Sequence, residues 1–375
     1  MNSIYTAYYD LIATVSLLNI KNNKKFPAVP VYPLFRDICL MIYQINKDIL
    51  NDSVQLDPTI KKIRHRVKLF QKKDNYKVYN RIVDLHIYQF GNDIDNLGFF
   101  LEDDKLVGST IYSTYIFQDT HFFSTNPKET GKNALAFAKM VGESAGLILE
   151  KIREKSNYTL PQIDFPTFVY NDDNPYKEKD ILSTKFYGEE QNHNVALTRL
   201  IISLQEASTS IWLYKGISSK YDKLQLENYI LLRLLSIKAD EIMDNLKNMR
   251  SFLPDNFNKI DKSCQFKLSS IINKFDSEIE KECRELRNMI HYNEDRGNFL
   301  DYVNSQIKED KDYITRLNYK IINDYMAPFN DIISDYLQIN NIKSMSGFEK
   351  ITRRIFTLIK RKDFRSTNSN KHSSK

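Results

Sequence analysis

One stretch of this chain, Arg284-Glu-Leu-Arg287-Asn288-Met-Ile-His291-Tyr292, combines residue types that do chemistry. An imidazole, with an unperturbed pKa of about 6.5, exchanges a proton near neutral pH. A neighbouring guanidinium holds a phosphate or stabilises the charge of a pentacovalent transition state. Together they resemble a metal-free ribonuclease site, in which the substrate's own 2′-hydroxyl is the nucleophile and the protein supplies acid-base help and electrostatics. The same letters also describe an ion-paired helix face. Glu280 lies four residues before Arg284 and seven before Arg287, such i,i+4 pairs are common, and the macrodipole favours a histidine near a helix C-terminus.

Spacing predicts how these groups are presented. On an α-helix Arg287 and His291 are about one turn apart, and Arg284 and His291 differ by about 20° of rotation and about 10 Å of rise, so all three share one side. Each follows by one position a member of the apolar stripe Leu268, Ile272, Phe275, Ile279, Cys283, Leu286 and Ile290. They therefore border the buried stripe, about 100° round from it. One helix is expected to carry the whole stripe. Two long amphipathic helices are expected beside it, because Leu197, Ile201, Leu204, Ser208 and Ile211, and then Leu226, Ile230, Leu234 and Ile237, recur at steps of three and four. Gly216 and Ser218-Ser219 punctuate the link between them. Further helices over about 297–308 and 311–338 would complete an antiparallel bundle of four or five helices spanning 190–340.

Ahead of the bundle the chain reads as mainly helical too. Helices are expected over 3–20, capped by Ser3, over 35–50 and, strongly basic, over about 58–74, with a proline-interrupted loop at 26–33. A β-hairpin is expected at 97–117: a strand 97–102, the turn Asp103-Asp104, and a β-rich run 105–117. A helix over about 128–155 packs Ala134, Phe137, Ala138, Val141, Ala145, Ile148 and Ile152 on one side. Residues 156–190 carry no sustained period, and a domain break falls near 185. The fold class is therefore mainly α, with an N-terminal helical region of 1–185 holding a small hairpin. A basic C-terminal segment, 341–375, follows the bundle and is expected to be disordered after about 366.

Composition bounds the partners. The 375 residues are 42% hydrophobic and 27% charged with ten Gly and ten Pro, the profile of a folded helical chain. Cys39, Cys264 and Cys283 are far apart, with no Cys/His cluster to hold zinc or close a disulfide framework. No metal and no cofactor are expected. Neither an export signal nor an apolar run near the roughly 18 residues of a membrane span is evident, so the expectation is a cytoplasmic protein without a membrane partner. The net charge is +6, concentrated in Lys61, Lys62, Arg64, His65, Arg66 and Lys68 and in Arg353, Arg354, Lys360, Arg361, Lys362 and Arg365. Such clusters suit phosphate contacts on nucleic acid or anionic lipid, and equally describe solvated helix faces.

The segment from about 190 to 340 resembles a HEPN domain, the helical bundle of many prokaryotic toxins and antiphage effectors, marked by an Arg, a polar residue after it, and a His four to six positions beyond. Arg287-Asn288 supplies the Arg-polar pair with three residues before His291; Arg284 has six intervening residues but is followed by Glu285. The match is divided between the two arginines. The resemblance implies a homodimer whose facing motif helices form one RNA-cleaving site, with His291 and one or both of Arg284 and Arg287 carrying the reaction and Asn288 supporting them. It also implies a role in abortive infection or a toxin–antitoxin system, with an antitoxin or defence-system protein as partner. The alternative is a non-catalytic helical protein that binds a partner or nucleic acid through the same face.

Other residues weigh less. His86 alternates with apolar neighbours and reads as a satisfied, partly buried side chain, His193 sits just before a helix among N-cap signals, and His121 lacks a nearby acid, base or Cys. Asn171-Asp-Asp-Asn174 lacks the spaced ligands of a calcium loop and reads as a turn. No phosphate loop, dinucleotide fingerprint or nucleophile elbow is present, which argues against the enzyme classes built on them.

Overall fold

The computed structural model describes residues 2–18, 28–64, 75–86, 96–118, 120, 122, 127–156, 160, 177–218, 226–292, 297–349, 351–352 and 355. In chain order its elements are α1 (Asn2–Leu18), α2 (Ala28–Asp48), α3 (Pro58–Arg64), α4 (Asn75–His86), β1 (Asn96–Glu102), β2 (Lys105–Ser109), α5 (Thr110–Phe117), α6 (Pro127–Lys155), β3 (Lys177–Leu182), α7 (Ser183–Phe186), α8 (Gln191–Ser218), α9 (Leu226–Phe252), α10 (Pro254–Ser263), α11 (Lys267–Glu278), α12 (Glu280–Asn288), α13 (Phe299–Glu309), α14 (Tyr313–Lys320) and α15 (Ala327–Leu337). The protein is mainly helical with one small sheet.

Two helices run through the middle. Residues 194–210 of α8 and 228–243 of α9 are buried on every face, where periodicity predicts one apolar stripe and one wet face. The difference arises because helices of the N-terminal region cover the polar faces, so Arg199, Gln205, Glu206, Arg233, Lys238 and Glu241 are interior residues. Side chains on both sides of position 185, such as Leu11, Ile42, Leu231 and Ile242, belong to one hydrophobic cluster. Buried charges demand partners. Arg36 of α2 lies 2.7 Å from Glu206, 2.6 Å from Glu241 and 3.1 Å from Asp37, while Lys238 lies 2.7 Å from Asp37 and 2.6 Å from Glu206. The Tyr112 hydroxyl donates to Glu206. This ionic layer fastens α2 and α5 to α8 and α9.

Several local expectations are corrected. Ser3 lies within α1 rather than capping it, and α2 begins at Ala28 with Pro33 inside it. Pro30 falls in the first turn, where backbone N–H groups have no intrahelical acceptor, and Pro33 forfeits one bond. Gly216 is within α8. The single helix expected over 311–338 carries a π-helical turn at Ile321–Met326; the wider turn precedes Pro328, which lacks the N–H a regular α-turn needs there.

The hairpin also differs in its second half. Asp103 and Asp104 both take positive φ, 48° and 62°, the left-handed pair that a two-residue hairpin requires. Strand β2 stops at Ser109, whose hydroxyl accepts from the Tyr112 N–H and starts α5. The β-branched and aromatic content of 110–117 reflects burial rather than extension: Ile111 through Phe117 are all buried. A third strand was not apparent in the sequence. In the order β2-β1-β3, β3 pairs antiparallel with β1, and its edge is covered where Asp180 accepts from the Met345 N–H at 2.8 Å. A Cβ on Gly98 of β1 would stand 2.8 Å from Thr110 Cγ2. Thr110 has little freedom to move, since its hydroxyl is 3.0 Å from the Gly98 nitrogen and 2.6 Å from His86 Nε2. Gly98→Ala should therefore cost about 1–3 kcal/mol, read as a lowered urea midpoint with unchanged slope.

Candidate functional site

The stripe from Leu268 to Ile290 is buried throughout, yet the helix beneath it is broken. Ile279, at φ −141° and ψ 0°, separates α11 from α12. Lys247 of α9 spans the break, pairing with Asp276 on α11 and at 2.7 Å with Glu280 on α12. The second interruption decides the site. Arg233 of α9 donates from Nη1 to the Leu286 carbonyl at 3.1 Å and from Nη2 to the Met289 carbonyl at 2.9 Å. With Leu286 O taken, the Ile290 N–H bonds Arg287 O and the His291 N–H bonds Asn288 O, at 3.1 and 3.2 Å, the tight i,i+3 pattern that closes a helix end.

His291 accordingly lies beyond α12, not on it. The expectation that Arg284, Arg287 and His291 share one helix face holds only for the arginines, which both approach α9. Arg287 Nη1 is 2.6 Å from Asp240 Oδ2, and Arg284 Nη2 is 2.5 Å from Glu280 Oε1. Longer pairings of 3.9–4.0 Å link Arg287 to Asp244 and Arg284 to both Asp240 and Asp244. Burial pushes the Asp240 carboxyl up in pKa, while Arg287 pulls it down. His291 instead faces the end of α2, with Nδ1 4.0 Å from Asp48 Oδ2. The side chains of Arg284, His291 and Arg287 are 49%, 45% and 23% exposed. Asn288, the last residue of α12, is exposed.

A buried knot holds this turn in place. Asp10 of α1 accepts from the Tyr229 hydroxyl at 2.9 Å, Arg233 Nε at 3.2 Å and the Tyr292 hydroxyl at 2.6 Å. Tyr292 also donates its N–H to Asp48 at 3.0 Å. Arg233 thus joins α1 to the end of α12, and Tyr292 ties the turn that carries His291 to two carboxylates of the N-terminal region, Asp10 and Asp48. Asp10, Asp48, Arg233 and Asp240 were not singled out from the sequence. The available signal was an ionisable residue interrupting an apolar run, as in Leu231-Leu-Arg233-Leu-Leu235, since an interior charge requires an opposite one elsewhere.

Of the basic residues, Lys61 and Lys62 are exposed on α3, whereas Arg64 lies with its guanidinium 3.5 Å from the centre of the Tyr43 ring. Arg66, Arg353 and Arg354 lie outside the described residues, as do His65, His121 and Asn171–Asn174. His86 is buried, and burial lowers its pKa to about 4. All three cysteines are buried thiols. Among the described residues no group of three or more His, Cys, Asp and Glu gathers as a metal site, and no helix is long and apolar enough to cross a membrane.

The fold and site thus define a mainly helical protein with a three-stranded sheet and an Arg/His surface at the end of α12. Compared with family models, with curated proteins and with solved structures, the chain shows no match to any of them.

Proposed function

We propose that the protein is a metal-independent endoribonuclease of the HEPN type, acting as a homodimer in phage defence or a toxin–antitoxin system. The observation that carries the reading is that Arg284, Arg287 and His291 keep solvent-accessible side chains on backbone that buried groups hold fixed. Preorganised charge of this kind is what phosphoryl transfer within RNA needs. The 2′-oxygen attacks the adjacent phosphorus, the bond to the 5′-oxygen breaks, and a cyclic phosphate is left. His291 moves the proton, and an arginine stabilises the charge on the phosphoryl oxygens. Apposition of two motif ends would supply a second set of the same groups.

Purified wild type and His291→Ala, incubated with total RNA in EDTA, test this directly. Wild type is expected to leave 2′,3′-cyclic phosphate ends, and the variant to lose at least about 100-fold in rate with an unchanged melting temperature. Equal cleavage by the two proteins would refute the assignment. A second reading has its own observation: both arginines are engaged by carboxylates, as on a partner-binding face. Under it wild type leaves RNA intact, and Arg287→Ala weakens association with the partner.

A further inference from the structure

We propose that Asp48, at the end of α2, is a positioning residue for the His291 imidazole, so that the N-terminal region supplies part of the site. The inference rests on the ribonuclease reading for its consequence, though not for its geometry. Asp48 Oδ2 accepts the Tyr292 N–H at 3.0 Å and Gln44 Nε2 at 2.6 Å, and the same oxygen stands 4.0 Å from His291 Nδ1. The carboxylate is only 12% exposed.

Its contacts extend beyond α2, from Gln44 one turn back to the Tyr292 N–H. A carboxylate on the last residue of a helix meets the negative end of the macrodipole, at a cost of about 0.3–1 kcal/mol. Gln44, one turn back on α2, offsets part of this cost, and the other interactions that do so lie on the 291–292 turn. The end of α2 is itself anchored: Lys155 of α6 donates to the Ile49 carbonyl, and the Asn46 amide bonds Val54 in both directions, at 2.9 and 3.1 Å. Asp48 is therefore presented from a fixed platform. At 4.0 Å the ring nitrogen is outside hydrogen-bond range, and a closure of about 1 Å completes the bond. Catalytic contacts are often long in a free enzyme and tighten with substrate bound.

The chemical consequence is a chosen tautomer. With Nδ1–H directed at Asp48, the neutral ring leaves Nε2 as the base that faces substrate, and the carboxylate stabilises the imidazolium that forms when Nε2 takes a proton. Such a residue acts through His291 and need not touch RNA.

Asp48→Asn is the informative change, because one amide oxygen accepts both the Tyr292 N–H and the Gln44 amide while the charge is lost. In the full-length protein we expect it to melt within a few degrees of wild type. It should cleave total RNA in EDTA on the order of 10- to 100-fold more slowly, and the limb of the pH–rate profile that His291 controls should move to lower pH. In histidine-labelled wild type, ring ¹⁵N shifts above the titration should report the Nδ1–H tautomer. Wild-type rate and pH profile in Asp48→Asn, or an Nε2–H tautomer in wild type, would overturn the proposal. The tautomer also decides the matter if Asp48→Asn does not fold. Cleavage by His291→Ala at the wild-type rate, by contrast, overturns the ribonuclease reading and leaves the tautomer as the test of Asp48.

Discussion

Replacing Arg36 with Met is expected to remove about 3–5 kcal/mol of stability, a large part of the roughly 5–15 kcal/mol that holds a typical folded chain. The expectation comes from the charge balance of the buried layer. Burial raises the Glu241 pKa to about 8, so near neutral pH that carboxyl is protonated, and Arg36 and Lys238 balance Asp37 and Glu206. Without Arg36 the interior keeps two carboxylates and one ammonium, all buried from solvent. Met is unbranched, apolar and close to Arg in volume though shorter, so the lost charge rather than cavity formation dominates. Urea unfolding reads the effect. A loss below about 1 kcal/mol would mean that the layer is not ionised as described.

Glu241 itself should make stability fall as pH rises. Its carboxyl goes from an ordinary 4.5 to about 8, driven first by desolvation, with Arg36 opposing the shift and Asp37 and Glu206 reinforcing it. The folded state therefore holds a proton that the unfolded chain releases above pH 4.5. The associated stability is complete below 4.5 and is lost between 4.5 and 8, on the order of 5 kcal/mol in all. His86 has the opposite sense. Burial takes it from 6.5 down to about 4, so its contribution is present above 6.5 and lost as pH falls toward 4. The two slopes oppose one another between 4.5 and 6.5, leaving Glu241 alone to lower stability from 6.5 to 8. A melting curve against pH should show a plateau and then this decline. Glu241→Gln, which imitates the protonated side chain and keeps an acceptor for Arg36, should flatten the decline and be the more stable protein at pH 8. If the variant follows the wild-type slope, or melts lower at pH 8, another group governs that limb.

Which face is buried was legible in the sequence wherever a long apolar period ran uninterrupted. The stripe from Leu268 to Ile290 is buried at all seven positions, and α6 spans Pro127–Lys155 against an expected 128–155. Burial depends on the side chains themselves, so their spacing reports it. The turn at Asp103-Asp104 was likewise readable, because few residues other than Gly, Asn and Asp accept positive φ. Where a helix ends was less so. The break at Ile279 and the early close of α12 at Asn288 follow from Lys247 and Arg233 reaching in from α9, and no local signal in 267–291 encodes a donor on another helix.

The site divides along the same line. Residue types singled out Arg284, Arg287 and His291, since imidazole and guanidinium chemistry belongs to the side chain, and the family resemblance added Asn288. Tertiary structure decided their orientation: the arginines approach Asp240 and Asp244 on α9, and His291 faces Asp48. It also decided that α8 and α9 are interior on every face, because helices of the N-terminal region cover what periodicity reads as wet surface. Sequence spacing measures rotation about one helix axis, whereas an ion pair between residues 36 and 206, or 10 and 233, exists only once distant segments meet.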